Sequence, residues 1–228
     1  MLSLDSELNA KNKEIEELDK QMNWIYAHNL ATGIPSKISI TELKRLGSGE
    51  EAKQDIIMIE KPDFMSEQIE SGTKYGTLVH TALQKLDFNN INIKNIVNSL
   101  TEDCNIQKSI SNKLNRFSKT KLFEEIKNAK KVFKETSFNL NLTAKEVYNI
   151  ESNENIMIQG IIDLYFVDND DNIVLVDFKT DNKQDKNELL NRYKFQLDYY
   201  KRALEDITRK KVKKTIIYSL KLDEEIIL

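Results

Sequence analysis

Residues 156–181 read IMIQGIIDLYFVDNDDNIVLVDFKTD, and the way this stretch folds decides how the rest of the chain must be arranged. Ile156 to Val167 and Ile173 to Lys179 are rich in β-branched and aromatic residues, and the polar run from Asp168 to Asn172 separates them, which predicts a β-hairpin with a longer loop. Folding the chain about Asp170 sets Asp163 opposite Asp177. Directly opposed residues of an antiparallel pair share a face, with Cα atoms about 4.5–5.5 Å apart, so two carboxylates project together. Lys179, two residues beyond Asp177, joins them. The other face carries Ile162, Leu164, Phe166, Val174, Val176 and Phe178 and is expected to be core.

Opposed like charges destabilise a sheet, so the pair asks for a compensating positive charge. A divalent cation supplies one. Carboxylate oxygens are hard ligands suited to Mg²⁺ or Mn²⁺, and an ammonium beside them is placed to position or activate a water that attacks a phosphodiester. For a D-x-K tripeptide taken alone, the competing reading is an ordinary hairpin with a solvated charged face. The residues around the hairpin decide between the two.

Upstream, Gly72 to Phe88 places Leu78, Val79, Ala82, Leu83 and Leu86 on one stripe of a helix; His80 sits on that helix, with Gly76 one turn earlier on the same face. Asn89 to Lys130 reads as two or more helices. Val132 to Leu142 predicts a strand able to pair with the hairpin, and side-chain alternation leaves open whether Glu135 faces the carboxylates or turns away. Downstream, a helix over 187–206 carries Arg192, Gln196 and Tyr200 at four-residue spacing, and Val212 to Leu222 and Glu225 to Leu228 read as closing strands. Further out, Leu4 to Ala27 predicts a long amphipathic helix, weakly hydrophobic in its first half, that packs on something outside this chain or lies loosely on the surface. Ser39-Ile-Thr-Glu42 matches a capping box, with Ile38 and Leu43 as its hydrophobic staple. Gly47 to Pro62 has linker composition. The expected organisation is an N-terminal helical extension over 1–46, a mobile linker over 47–62 and one domain over 63–228.

With 228 residues and 39% hydrophobic content, the chain can bury a substantial core. Its net charge of -3 gives no global basic signature, so nucleic-acid contacts must come from local patches or from a partner. Two patches are candidates, the stretch 105–134, where nine Lys or Arg residues accompany only Glu124 and Glu125, and RKKVKK at 209–214; solvated helix faces and a sheet edge blunted by lysine are the competing readings. Cys104 is the only cysteine, which excludes disulfides, cysteine-based zinc sites and a four-cysteine iron–sulfur cluster within the chain. No stretch reaches the about 20 apolar residues that span a bilayer, and the charged N-terminus does not read as a signal peptide, so a cytoplasmic protein without membrane contact is expected.

In order, the chain carries GTLVH at 76–80, KETSF at 134–138, GIIDL at 160–164, VDFKTD at 176–181 and QLDYY at 196–200. This series resembles the RecB-type branch of the PD-(D/E)XK nuclease superfamily, and within it the C-terminal nuclease domains of the AddA helicase–nuclease subunits of bacterial AddAB. The resemblance starts near Trp24, includes PSKISITELKR at 35–45 and covers most of the chain. It implies a restriction-endonuclease-like α/β core with a central mixed sheet flanked by helices. By the same resemblance, His80, Asp163 and Asp177, with the carbonyl of Phe178, hold Mg²⁺, for which Mn²⁺ substitutes. Lys179 acts on the attacking water, Gln196 and Tyr200 position the strand or support the lysine, and Glu135 matches a family acid. The implied function is a deoxyribonuclease, an exonuclease of single-stranded DNA delivered by a helicase motor of the same parent protein, with an AddB-like protein as partner, in double-strand break processing and recombinational repair. No G-x-x-x-x-G-K-[ST] occurs, so ATP-driven unwinding is not expected of this chain. Two other readings compete: a catalytically silent nuclease-like module for DNA binding or subunit docking, and a Cas4-type exonuclease, whose usual four-cysteine cluster one cysteine cannot build.

Overall fold

The computed structural model describes residues 15–24, 32–47, 71–152, 154–181 and 185–228. From residue 48 onward the expected linker lies outside the described residues, and of the expected N-terminal helix only 15–22 (α1) is described as helical. Two compact units are distinguished, one joining Met1–Ser36 to Leu142–Ile156 and one joining Lys37–Asn141 to Met157–Leu228. In the first unit, the helix Ala144–Tyr148 starts on a reciprocal capping box between Thr143 and Glu146 and ends on Asn149, whose φ of 55° is the left-handed conformation that closes helices.

The second unit is built on a six-stranded mixed sheet. Its strands are β1 (Lys37–Ser39), β2 (Lys131–Thr143), β3 (Asn155–Val167), β4 (Ile173–Lys179), β5 (Val212–Ser219) and β6 (Glu224–Ile227), in the order β1-β3-β4-β5-β6 with β2 also paired to β3. β3 and β4 form the expected antiparallel hairpin, in register from Leu164 opposite Val176 to Val167 opposite Ile173. One step further brings Asp163 level with Asp177. The Asp168 carboxylate organises the turn by accepting the backbone N–H groups of Asp170 and Asn172, and Asp171 takes the left-handed φ of 64°.

The remaining helices are α2 (Ile40–Gly47), α3 (Ser71–Lys85), α4 (Ile93–Asn98), α5 (Cys104–Phe117), α6 (Lys121–Lys127), α7 (Ala144–Tyr148, described above) and α8 (Lys186–Thr208). Side chains of α3 to α6 pack with Leu164, Phe166, Val174, Val176, Phe178 and Tyr218 into one core, which holds the residues expected on the apolar face except Ile162, buried outside this cluster. On the other face lies α8, whose buried residues Leu189, Tyr193, Leu197, Tyr200 and Leu204 recur at helical spacing. β4 is therefore covered on both sides and pairs in parallel with β5 through the α8 crossover. The charged face of the hairpin is not solvated: it lies under a helix.

β1 was not expected. The three residues before α2 pair in parallel with β3, Ile38 opposite Ile158, and the Ser39 hydroxyl accepts the Glu42 N–H, which is the capping contact the sequence predicts.

Candidate metal centre

Four elements deliver the titratable side chains. On α3, Gly76 lets the helix approach the end of β4, since a Cβ there would lie 3.2 Å from the Thr180 hydroxyl oxygen. His80 follows one turn later, and its Nδ1 lies 3.6 Å from Asp163 Oδ2. The same carboxylate oxygen accepts the Phe178 backbone N–H at 2.8 Å, so Asp163 reaches across the hairpin at the point where the ladder ends.

Glu135 is placed by an irregularity in β2. Its φ of 46° lies in the left-handed region that non-glycine residues seldom adopt. Before it, Val132 packs on the helical core and Lys134 donates to the carbonyls of Gln84 and Leu86; after it, Phe138 meets the Tyr200 ring on the α8 side. Even-numbered side chains therefore change faces at Glu135. The carboxylate ends beside the others: ligand atoms of His80, Glu135 and Asp163 all lie within 4.8 Å of one another.

Asp177 and Lys179 form the adjoining pair. Asp177 is 1% exposed. Its Oδ2 lies 2.7 Å from Lys179 Nζ in a buried ion pair, and its Oδ1 is buried with no hydrogen-bond partner among the described residues. The Lys179 ammonium also sits 4.2 Å from the centre of the Tyr193 ring.

The environment separates the two aspartates. Burial drives Asp177 up to about 6, and the Lys179 charge only partly opposes it. For Asp163 burial acts in the same sense, yet His80, Lys179 and the Phe178 N–H outweigh it and hold the carboxyl below the usual range. Burial lowers His80, but the nearby Asp163 carboxylate wins and keeps the imidazole above its ordinary value. Burial likewise lowers Lys179, and Asp177 and Asp163 more than offset it, so the group is a firm ammonium. Burial, reinforced by Asp163, raises Glu135. One carboxyl held below the usual range beside one raised by burial, together with the unpartnered Asp177 Oδ1 and a histidine nitrogen, is a donor set that fits a hard divalent cation.

Of the residues expected from sequence, His80, Glu135, Asp163, Asp177, Phe178 and Lys179 converge here. Gln196 and Tyr200 pair with each other, Gln196 Nε2 donating to Tyr200 Oη at 2.6 Å. Tyr193 and Lys44 were missed, and Arg192, named on the helical stripe, was given no role. The Tyr193 hydroxyl donates to Asp181 at 2.6 Å, Arg192 pairs with the same carboxylate at 3.3 Å, and Lys44 of α2 lies 4.8 Å from the Tyr193 ring centre. Tyr193 falls one position outside the Arg192–Gln196–Tyr200 stripe. The signal that finds it is the buried series Leu189, Tyr193, Leu197.

Residues 54–225 match the model of the PD-(D/E)XK nuclease superfamily. Among curated relatives, an ATP-dependent helicase/nuclease subunit of Syntrophomonas wolfei is 35% identical over 232 residues, covering 93% of this chain and 19% of the relative. The proteins of the same name from Clostridium acetobutylicum and Clostridium botulinum strain Okra are 34% and 36% identical, with 93% and 92% of this chain covered against 19% and 18% of theirs. The chain thus spans under a fifth of the length of these relatives.

Proposed function

The chain belongs to the PD-(D/E)XK nuclease superfamily, and on that premise we propose that it is a divalent-metal-dependent deoxyribonuclease domain, centred on residues 63–228, that hydrolyses phosphodiester bonds of single-stranded DNA. The relatives are named helicase/nuclease subunits, which supports a strand delivered by a helicase motor, a partner resembling AddB, and a role in double-strand break processing and recombinational repair. The observation that carries the reading is the buried Asp177 carboxylate, ion-paired with Lys179 on one oxygen and without a partner on the other, beside the His80–Glu135–Asp163 cluster. A silent docking module has no use for so costly a group.

In this reading His80, Asp163, Asp177, the Phe178 carbonyl and Glu135 hold Mg²⁺, with Mn²⁺ as substitute. When bound, such a cation neutralises phosphate charge and acidifies a water. The chain's own residues do the rest. In the metal-free fold Asp177 and Asp163 hold the Lys179 ammonium above its ordinary range. As an ammonium it donates to the attacking water, orients it toward phosphorus and offsets the charge gathering on the phosphate oxygens. Tyr193 walls the lysine on one side and, through Asp181, is fixed against the loop that follows β4. Gln196 fixes the Tyr200 hydroxyl, and that pair shapes the α8 wall beside the strand.

End-labelled single-stranded and duplex DNA, digested with Mg²⁺, with Mn²⁺ and with EDTA, test the proposal. Cleavage of the single strand only in the presence of metal, abolished by Asp177→Ala and by Lys179→Ala, is the expected result. Cleavage that survives EDTA, or none under any metal, overturns it.

A further inference from the structure

The two basic stretches of the sequence have different fates in the fold. The 209–214 run is spent on internal pairs: Arg209 with Asp206, Lys211 with Glu205, Lys213 with Asp168 and Lys214 with Glu225. The 105–134 stretch is spent only in part: Lys121, Lys127 and Lys130 pair with Glu125, Glu124 and Asp171, while a second group lines a groove. Lys113 and Arg116 of α5 and Lys119 in the turn after it, with Lys221 from the β5–β6 turn, line this groove of about 830 Å³, whose other walls include Tyr75 and Thr180. Arg116 meets one acid, Asp223, at 2.8 Å, and Lys113 donates to the Leu220 carbonyl at 2.8 Å. Lys119 and Lys221 have no acidic partner among the described residues. Four cations therefore share one carboxylate, and burial together with the neighbouring Arg116 depresses the Lys113 ammonium.

The groove is tied to the end of β4. Thr180, which lines it, directly follows Lys179, and the Leu220 N–H donates to the Lys179 carbonyl at 2.9 Å, so the wall that carries Lys221 is hydrogen-bonded to the backbone of the lysine. Tyr75 closes the other side, its hydroxyl 2.8 Å from that of Ser109 on α5. A concave, cation-lined surface beside the end of β4 fits a chain of phosphates.

We propose that this groove binds the phosphodiester backbone of a nucleic-acid strand next to the scissile bond, with Lys119 and Lys221 as its free phosphate contacts. The assignment rests on the nuclease reading for its place in catalysis, but not for the binding itself. An ammonium that neutralises a phosphate releases a condensed counterion, so each contact contributes about 0.7 to the salt slope of single-strand binding.

The test uses the whole chain and a fluorescein-labelled single-stranded oligonucleotide. Anisotropy titrations across a salt series compare wild type, Lys119→Glu/Lys221→Glu and the control Lys211→Glu/Lys213→Glu, which makes the same change in net charge; thermal unfolding verifies that all three are folded. The groove variant is expected to bind about tenfold or more weakly, with a salt slope lower by about one to two, and the control is expected to stay within about twofold of wild type. Cleavage by the groove variant should reach the wild-type rate at saturating DNA within about threefold, with the half-saturating concentration raised. Equal weakening in both variants, unchanged binding in the groove variant, or no binding by wild type at low salt overturns the groove. Absent cleavage with the groove-specific binding loss intact overturns the nuclease reading alone. Normal metal-dependent cleavage with unchanged half-saturation in the groove variant does the reverse.

Discussion

Asp177 and Lys179 stand two residues apart on one strand face, and their buried ion pair sets what each substitution will do. Because the Asp177 carboxyl rises in the folded chain to about 6 from an ordinary 3.8, the native state holds more protons than the unfolded one between those values. Without metal, stability therefore falls as pH climbs through that window. Lys179→Met removes the charge that opposes the rise, so the window extends upward and the variant should lose more stability relative to wild type at pH 7.5 than at pH 5. Urea midpoints in chelated buffer at the two pH values check this, and an equal deficit at both means that the lysine is not the counter-charge. In nuclease assays with metal, the same variant should lose well over tenfold in single-turnover rate. A smaller drop, under about 1.4 kcal/mol of transition-state stabilisation, removes Lys179 from the role of orienting the water.

At the scale of the strand and the helix, Gly160 shows how closely the elements meet. A Cβ on this residue would sit 2.6 Å from two ring carbons of Phe138 and 3.2 Å from the Tyr200 ring, and Phe138 is buried against Tyr200 in an edge-to-face contact. Gly160→Ala should cost about 1–3 kcal/mol by overpacking, and Phe138→Leu in the same chain should recover part of it, a coupling measurable by a double-mutant cycle in denaturant. Additive losses would falsify the collision. Much of this level was legible in advance. The DNDDN turn and the apolar alternation of 162–178 determine the hairpin register, because a one-residue slip would send Asp163 and Asp177 into the core. The side chosen by Glu135 was not legible, since the change of face depends on a left-handed backbone at a residue that is neither glycine nor asparagine. Nor was β1, whose three residues carry no period of their own and are recruited by the exposed edge of β3. Tyr193 was obscured because the polar stripe Arg192–Gln196–Tyr200 and the buried stripe overlap on one helix.

For the whole molecule, the clearest consequence is linkage between metal and folding. The described chain has no membrane-crossing helix, and its stability comes from a sheet covered by helices on both faces, with a cluster of acids enclosed at the end of β4. Ligand atoms contributed by α3, β2, β3 and β4 come together only in the native state, so a cation that occupies them binds the folded chain and not the unfolded one. At a free concentration about a hundred times its dissociation constant it should add about 2.7 kcal/mol, which for a chain of this size corresponds to a rise of about 5–10 °C in the unfolding midpoint. Mn²⁺ and Mg²⁺ should both produce the rise and Na⁺ at equal ionic strength should not. Asp163→Asn and Asp177→Asn should lose most of it, because each removes a charged oxygen from the site. Lys179→Met should keep it or enlarge it, since every proposed ligand remains and a competing cation has gone. Differential scanning calorimetry of the four proteins reads the result without reference to any substrate, and a rise that persists in Asp177→Asn but vanishes in Lys179→Met would place the cation elsewhere.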